Sequence, residues 1–472
     1  MIVAAGCGLS VRVFVPTRQV PEVNYVVALF EFEDLNHSRT ILEIRKAAVD
    51  EVQAYYDEVS YGKIRIKGTI IERWIRIPIK VKELDVFYYG YDRDDMLRID
   101  VRTCAIINEL IGDAQYSIRF AVYAGQIWGH AREENRTAFV SEFRGASVYA
   151  HELGHLLGLP DLYSYELAAE GRYPNIYLGQ WDLMSASWLL VHFCSWSKLR
   201  LGWISEEQVV DVTQKHERPF IIDAIENKSA KILLVRVPLS ENEAYYVEVR
   251  ARLGLDAGLD RLMRMGVLIL LVNEALSPEN GKVAVIDSHP NSTRMAPQME
   301  LFDAPFSIGR GEVIAYIDRA RNLSIIVLGK IGHSYKIMLG DAATGNKAIE
   351  ANTIILKAED AVARAEREQR LKGLGEARSQ LVRAKADYNE SRFPDAITSA
   401  KAAIDLADAA TGTTSESLTA TPTMATTSRA AETAVTPPQS LGTVAPTIGA
   451  LAILMAAGAF IILRKGKRKI PM

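Results

Sequence analysis

Periodicity divides the chain into stretches of different character. In the first 205 residues, VNYVVALFEFED (23–34) reads as a strand and YSIRFAVYAG (116–125) as a buried strand. GKIRIKGTI (62–70) alternates as a further strand. Between them, TILEIRKAAVDEVQAYYDEVS (40–60) and DMLRIDVRTCAIINELIG (95–112) repeat apolar positions every three to four residues, as amphipathic helices do. These patterns predict an α/β domain over 1–205. From 206 to 345 the runs are strand-like and punctuated by turns. KILLVRVPL, AYYVEVRARL, GVLILLVNEA, KVAVIDSHP and LSIIVLGKI, with SPENG between two of them, predict a β-sandwich.

Residues 346–410 change period again. LKAEDAVARAEREQRLKGLG ends in a glycine-bearing turn, and the alanine- and charge-rich run to Ala410 follows, with Pro394 placed to begin a second helix. A helical hairpin or stalk is expected. Residues 411–443 are rich in Thr, Ser, Ala and Pro and bury too little apolar surface to fold, so they read as a disordered linker. VAPTIGALAILMAAGAFIIL (444–463) carries no charge over a length that spans a bilayer. Arg464, Lys465, Lys467, Arg468 and Lys469 follow it. The pattern predicts a C-terminal transmembrane helix with a basic cytoplasmic tail (464–472) and an extracellular body. The expected fold class is α+β: a zinc-peptidase-like domain, a β-sandwich, a helical hairpin stalk and a membrane helix.

Charge changes the picture once. Net charge is −3, with 55 basic and 58 acidic residues. Without the five basic residues of the tail, 50 stand against 58, a balance of −8. That balance argues against nucleic acid as a partner, since binding its phosphates needs a basic face. The three cysteines (Cys7, Cys104, Cys194) form neither a CxxC pair nor a disulfide framework. Sequons at Asn36, Asn135, Asn227, Asn291, Asn322 and Asn389 agree with an exported glycoprotein. The start, MIVAAGCGLSV, lacks the basic and apolar regions of a signal peptide, which points to a start lying further upstream.

The chemistry concentrates in HELGHLLGLPDLY (151–163). Residues four apart share a helix face, so His151 and His155 can direct both imidazoles at one ion, and such nitrogens suit Zn²⁺. Glu152, beside the first ligand, is placed as general base for an attacking water. Gly158 falls where the helix must stop, Pro160 cannot continue it, and Asp161 is then returned toward the ion as third ligand. Glu166 and Glu170 are alternative carboxylates. HExxHxxGxxD is the extended metzincin pattern with a carboxylate in place of the third histidine. Met184, in GQWDLMSAS, follows in a setting that suits a Met-turn under the ligands. Tyr163 and Tyr177 are candidates to steady an oxyanion, and Cys7 is a candidate inhibitory thiolate. His37, His130, His192, His216, His289 and His333 stand isolated and read as surface or core residues.

At these residues the sequence resembles the immune inhibitor A family of secreted zinc metallopeptidases. HELGHLLGLPDLY, GQWDLMSAS followed by WSKLRLGWI (196–204), and DEVSYGKIRIKGTI (57–70) carry the resemblance. YYVEVRARLGLDAGL and GVLILLVNEA resemble the β-rich region that follows the catalytic domain in that family. The resemblance spans roughly residues 24 to 340. It implies zinc-dependent endopeptidase activity on protein or peptide substrates, with His151, His155 and Asp161 as ligands and Glu152 as base. Structural Ca²⁺ is a further option. Two departures stand out: no long propeptide precedes the domain, and Ala186, Ser187 and Trp188 blur the glycine-serine-tryptophan after the methionine turn. The alternative from another class is an inactive cell-surface structural or adhesion protein with a relic peptidase domain.

Overall fold

A computed structural model describes residues 20–80, 93–112, 116–126, 129–212, 219–290, 292 and 297–412. In the N-terminal region, β1 (Glu22–Phe32) is followed by α1 (Ile41–Arg45), a π-helical turn and α2 (Glu51–Val59). Then come β2 (Arg65–Ile77), α3 (Arg93–Ile111), β3 (Ile118–Tyr123), β4 (His130–Arg132) and β5 (Thr137–Ser141). The five strands form one sheet in the order β2-β1-β3-β5-β4, parallel throughout except for the edge strand β4.

The apolar run of β1 is explained by its two faces. Tyr25, Val27 and Leu29 join the core against α1, α2 and α4 (Ala146–Leu156), while Val26, Ala28 and Phe30 pack on the other side with Ile99 and Ile107 of α3. A capping box at Thr40 and Glu43 begins the first helix.

The next region holds two facing sheets. One runs β11-β10-β9-β8-β6, made of β6 (Val209–Asp211), β8 (Leu234–Pro238), β9 (Glu243–Val249), β10 (Val267–Asn273) and β11 (Val283–Val285). The other runs β12-β13-β14-β7, made of β7 (Phe220–Ile222), β12 (Ala315–Asp318), β13 (Leu323–Ile331) and β14 (Ser334–Gly340). Val235, Val247 and Ile269 of the first meet Ile222, Val327 and Ile337 of the second in a shared core. The alternate positions of the first sheet are also apolar. Leu234, Tyr246, Leu268 and Leu270 point the other way, into the core of the N-terminal region. That sheet is therefore buried on both faces, and the described residues up to Thr411 form one compact unit.

Two expectations need correction here. Residues 346–410 form three helices, not a hairpin: α7 (Ala342–Arg367), α8 (Leu374–Asn389) and α9 (Phe393–Ala409). The chain breaks between α8 and α9 at Ser391, whose φ of 64° is left-handed, and Pro394 then opens α9. Nor do they project as a stalk. Ala348, Ala351, Ile355, Ala396 and Ala400 pack on Ile326, Leu328 and Met338, the outer face of the second sheet.

The second correction concerns the membrane. No helix among the described residues is long and apolar enough to cross one. At 26 residues α7 has the length, but Lys357, Glu359, Asp360 and Arg364 interrupt it with charge. The linker beyond residue 412, the span 444–463 and the tail 464–472 lie outside the described residues. The structure is α+β without a membrane-spanning element among those residues, and the anchored, extracellular placement is withdrawn.

Candidate metal centre

Helix α4 carries the motif on its last two turns. Its end is a Schellman motif: Leu159 N donates to Gly154 O at 3.0 Å and Gly158 N to His155 O at 2.8 Å, with Gly158 at φ +100°. A side chain would be strained there. The reversal brings Leu159 O to 2.9 Å from His155 Nδ1 and, two residues on, returns Asp161 over the helix. Met184 supports the site from beneath. A Cβ added at Gly154 would lie 2.7 Å from Met184 Sδ, so the glycine makes room for the sulfur. Leu162 N donates to Met184 O at 3.0 Å, and Leu183 O lies 3.0 Å from His151 Nδ1. Buried Asp182 fixes this turn by accepting from Met184 N at 2.7 Å, Cys194 N at 2.8 Å and Ser197 Oγ at 2.8 Å.

His151 Nε2, His155 Nε2 and Asp161 Oδ1 converge. The two nitrogens are 3.2 Å apart, and the oxygen is 3.0 Å and 3.3 Å from them. Bonds of about 2.0–2.1 Å to a tetrahedral zinc place neighbouring ligands roughly 3.3 Å apart. The separations fit that ion. Leu183 O and Leu159 O can only accept, so each histidine carries a proton on Nδ1 and turns its Nε2 inward, where the neutral ring can ligate a metal. Two lone pairs and a carboxylate oxygen aimed at one point repel unless a cation lies among them.

With no ion between them, the same three groups favour a proton in its place. Burial pulls the His155 pKa down, but its bond to Asp161 and that carboxylate's charge outweigh this and raise it to about 9. Burial would raise Asp161, yet the two histidines hold it far below the usual carboxylate range. Tyr165 OH donates to the other oxygen, Asp161 Oδ2, at 2.6 Å and orients the group.

Glu152 is buried at 4% exposure, and its Oε2 has no hydrogen-bond partner. Burial pushes its pKa up, His151 and His155 oppose the shift, Asp161 adds to it and His130 opposes it again. A Cβ at Gly129 would fall 2.8 Å from Glu152 Oε1, so the segment leading into β4 lies directly against the carboxyl.

His151, His155 and Asp161 are the one group among the described residues with the ligand set for a metal ion. No carboxylate-rich group for structural Ca²⁺ occurs among those residues. Glu166 is exposed and Glu170 pairs with Arg172 at 2.9 Å, so neither joins the ligands. Tyr163 lies close enough to Asp161 and Glu152 for their charges, after burial, to raise its pKa. Tyr177 instead packs toward Gly281 on the sandwich. Cys7 lies outside the described residues. The sequence left two neighbours unmarked. Tyr165 carries only the weak signal of standing four residues after Asp161 in the same loop. His130 gives none: its Nε2 is 3.0 Å from Asp100 Oδ2, and its ring stacks on Phe139 at 4.8 Å.

No protein-family model matches the chain, and no curated protein matches it either. Among solved structures, wild-type OgpA from Akkermansia muciniphila is similar in two crystal forms, at 10% and 11% identity. The alignments cover 56% of this chain and 92% and 91% of OgpA, with TM-scores of 0.25 and 0.24. Likeness at that level carries no statement about fold or activity.

Proposed function

We propose that the chain is a zinc-dependent endopeptidase that hydrolyses peptide bonds with Glu152 as general base. One observation carries the reading: three acceptor atoms from one 11-residue stretch meet at zinc-ligand spacing, beside a buried carboxyl with an unpartnered oxygen. His151, His155 and Asp161 would hold the ion, which supplies polarisation of a carbonyl and acidification of water. Glu152, kept basic enough by burial, takes the proton from the attacking water and delivers it to the departing amine. The edge strand β4 supports a polypeptide substrate. Its outer side has no strand partner among the described residues, and an extended chain can pair along such an edge. That pairing would carry a peptide past Glu152. The motif residues also favour the immune inhibitor A resemblance, of which they are the most specific part.

The test combines metal analysis with hydrolysis of a quenched peptide pool. About one equivalent of zinc is expected, with activity abolished by a chelator, restored by zinc, and lost in Glu152→Gln with the zinc retained. Zinc well below half an equivalent, or a Glu152→Gln variant as active as wild type, would sink the proposal.

A further inference from the structure

A second concave site lies on the sandwich, lined by none of the residues of the metal centre. It is a pocket of about 440 Å³ between the segment after β9, the 259–265 loop and the β13–β14 hairpin. Its walls carry Arg252, Arg261, Arg264, Lys330 and His333 against a single carboxylate, Glu312. In a body with acidic excess this concentration of cations is unusual.

What sets these cations apart is that several lacking an acid are gathered at one place. Some exposed arginines elsewhere, such as Arg73 and Arg319, also meet no carboxylate among the described residues, but those are not grouped around a cavity. Others do meet carboxylates, as Arg76 meets Glu31, Arg310 meets Asp360 and Arg392 meets Asp387. Arg264 follows that habit weakly, 3.5 Å from Glu312. Arg261 and His333 have no hydrogen-bond or ion-pair partner among the described residues. Lys330 has only the Tyr335 ring, 5.6 Å from its ammonium. The Arg252 guanidinium donates to Leu259 O and Asp260 O at 2.7 Å and to Met263 O at 2.9 Å, so its charge meets carbonyls and no acid. Behind the wall, buried Arg250 is already held by Glu226, Glu248 and Asp256.

The walls are also preorganised. Arg252 clamps the loop that carries Arg261, and Asp260 accepts from Leu262 N at 2.8 Å to close its turn. The two-residue turn after Ile331 fixes where Lys330 and His333 stand. Beside the cations and Glu312 the lining holds Tyr335 and the apolar Ala251, Met263 and Met265, of which Met265 is the most exposed. The volume suits a small ligand and not a bare ion.

We propose that this pocket binds an oxyanion ester: a sulfate or phosphate group directed at Arg261 and Lys330, on a compact body resting over Met265. Guanidinium and ammonium donors recognise such groups through charge-assisted hydrogen bonds. The proposal stands whether or not the metal centre is catalytic.

Isothermal titration of the full chain, stripped of metal and held at constant ionic strength, tests it. The probes are inorganic phosphate and phenyl phosphate. Saturable one-to-one binding is expected, with phenyl phosphate the tighter and each of Arg261→Ala and Lys330→Ala weakening it by about tenfold. Equal affinity for the two probes would overturn the apolar half of the site and leave a bare-anion site. No saturable binding of either, or unchanged affinity in the double variant with native circular dichroism, would overturn the whole. Glu152→Gln should bind like wild type, so this outcome and peptidase activity fail independently.

Discussion

Glu152 and Tyr165 mark two ways a residue can matter at one centre. Glutamine keeps the shape of Glu152 but cannot take a proton, so Glu152→Gln is expected to lose about 10²- to 10⁴-fold in kcat/KM with zinc content unchanged. Tyr165 acts through Asp161. Removing its hydroxyl in Tyr165→Phe frees the carboxylate to rotate and is expected to weaken zinc affinity about 10- to 100-fold, read by competition with a chelating dye. An unchanged affinity would refute that role. The meeting of His151, His155 and Asp161 was legible because it is local: the spacing of His151, His155, Gly158 and Asp161 encodes a helix turn, a reversal and a return. His130 was not, because it comes to Glu152 from a separate strand through sheet pairing that no spacing records.

At the scale of elements, α6 (Ser195–Arg200) shows how a short helix can be held by charge buried beneath it. Lys198 is fully buried and donates to Val59 O at 2.8 Å and Tyr61 OH at 2.9 Å, with His192 Nδ1 at 3.0 Å. Burial lowers its pKa from 10.5 to about 7, although Glu226 opposes the shift. The folded value lies below the unfolded one, so stability is lost as pH falls from 10.5 toward 7 and is level below that. Lys198→Met should therefore gain on wild type as pH is lowered from 9 to 7, measured by urea unfolding at each pH. A constant difference would contradict the shift. The elements themselves were largely legible, β1 and the helix over 40–60 above all, because continuous apolar runs and helical periods are local signals. The break at Ser391 was signalled by Pro394, but the alanine- and charge-rich run on both sides still reads as too few helices, since a left-handed serine carries no turn signature of its own.

At the scale of the whole molecule, one buried charge network ties the sandwich to the turn beneath the candidate metal site. Arg250, with no exposure, bonds Glu226, Glu248 and Asp256 and donates to Trp181 O at 2.8 Å, three residues before Met184. Glu248 accepts from Ser195 N at 2.6 Å, and Asp256 from His192 N at 2.9 Å. Segments on either side of residue 205 are thus tied through acids whose partners lie across that boundary. The sequence could not show this, because a doubly apolar strand such as β10 looks the same whether its second face meets its own sandwich or a neighbouring core. Arg250→Met strands three carboxyls in the interior and is expected to cost about 3–5 kcal/mol, read by urea unfolding. A fragment ending at residue 205 lacks Leu234, Leu268 and Leu270 from the core that covers Tyr55 and Trp181. It should show no cooperative melting transition, whereas the full chain should melt its sandwich and its metal centre together. Two separate transitions, with zinc raising only the first, would instead mean that the network joins two domains able to fold alone.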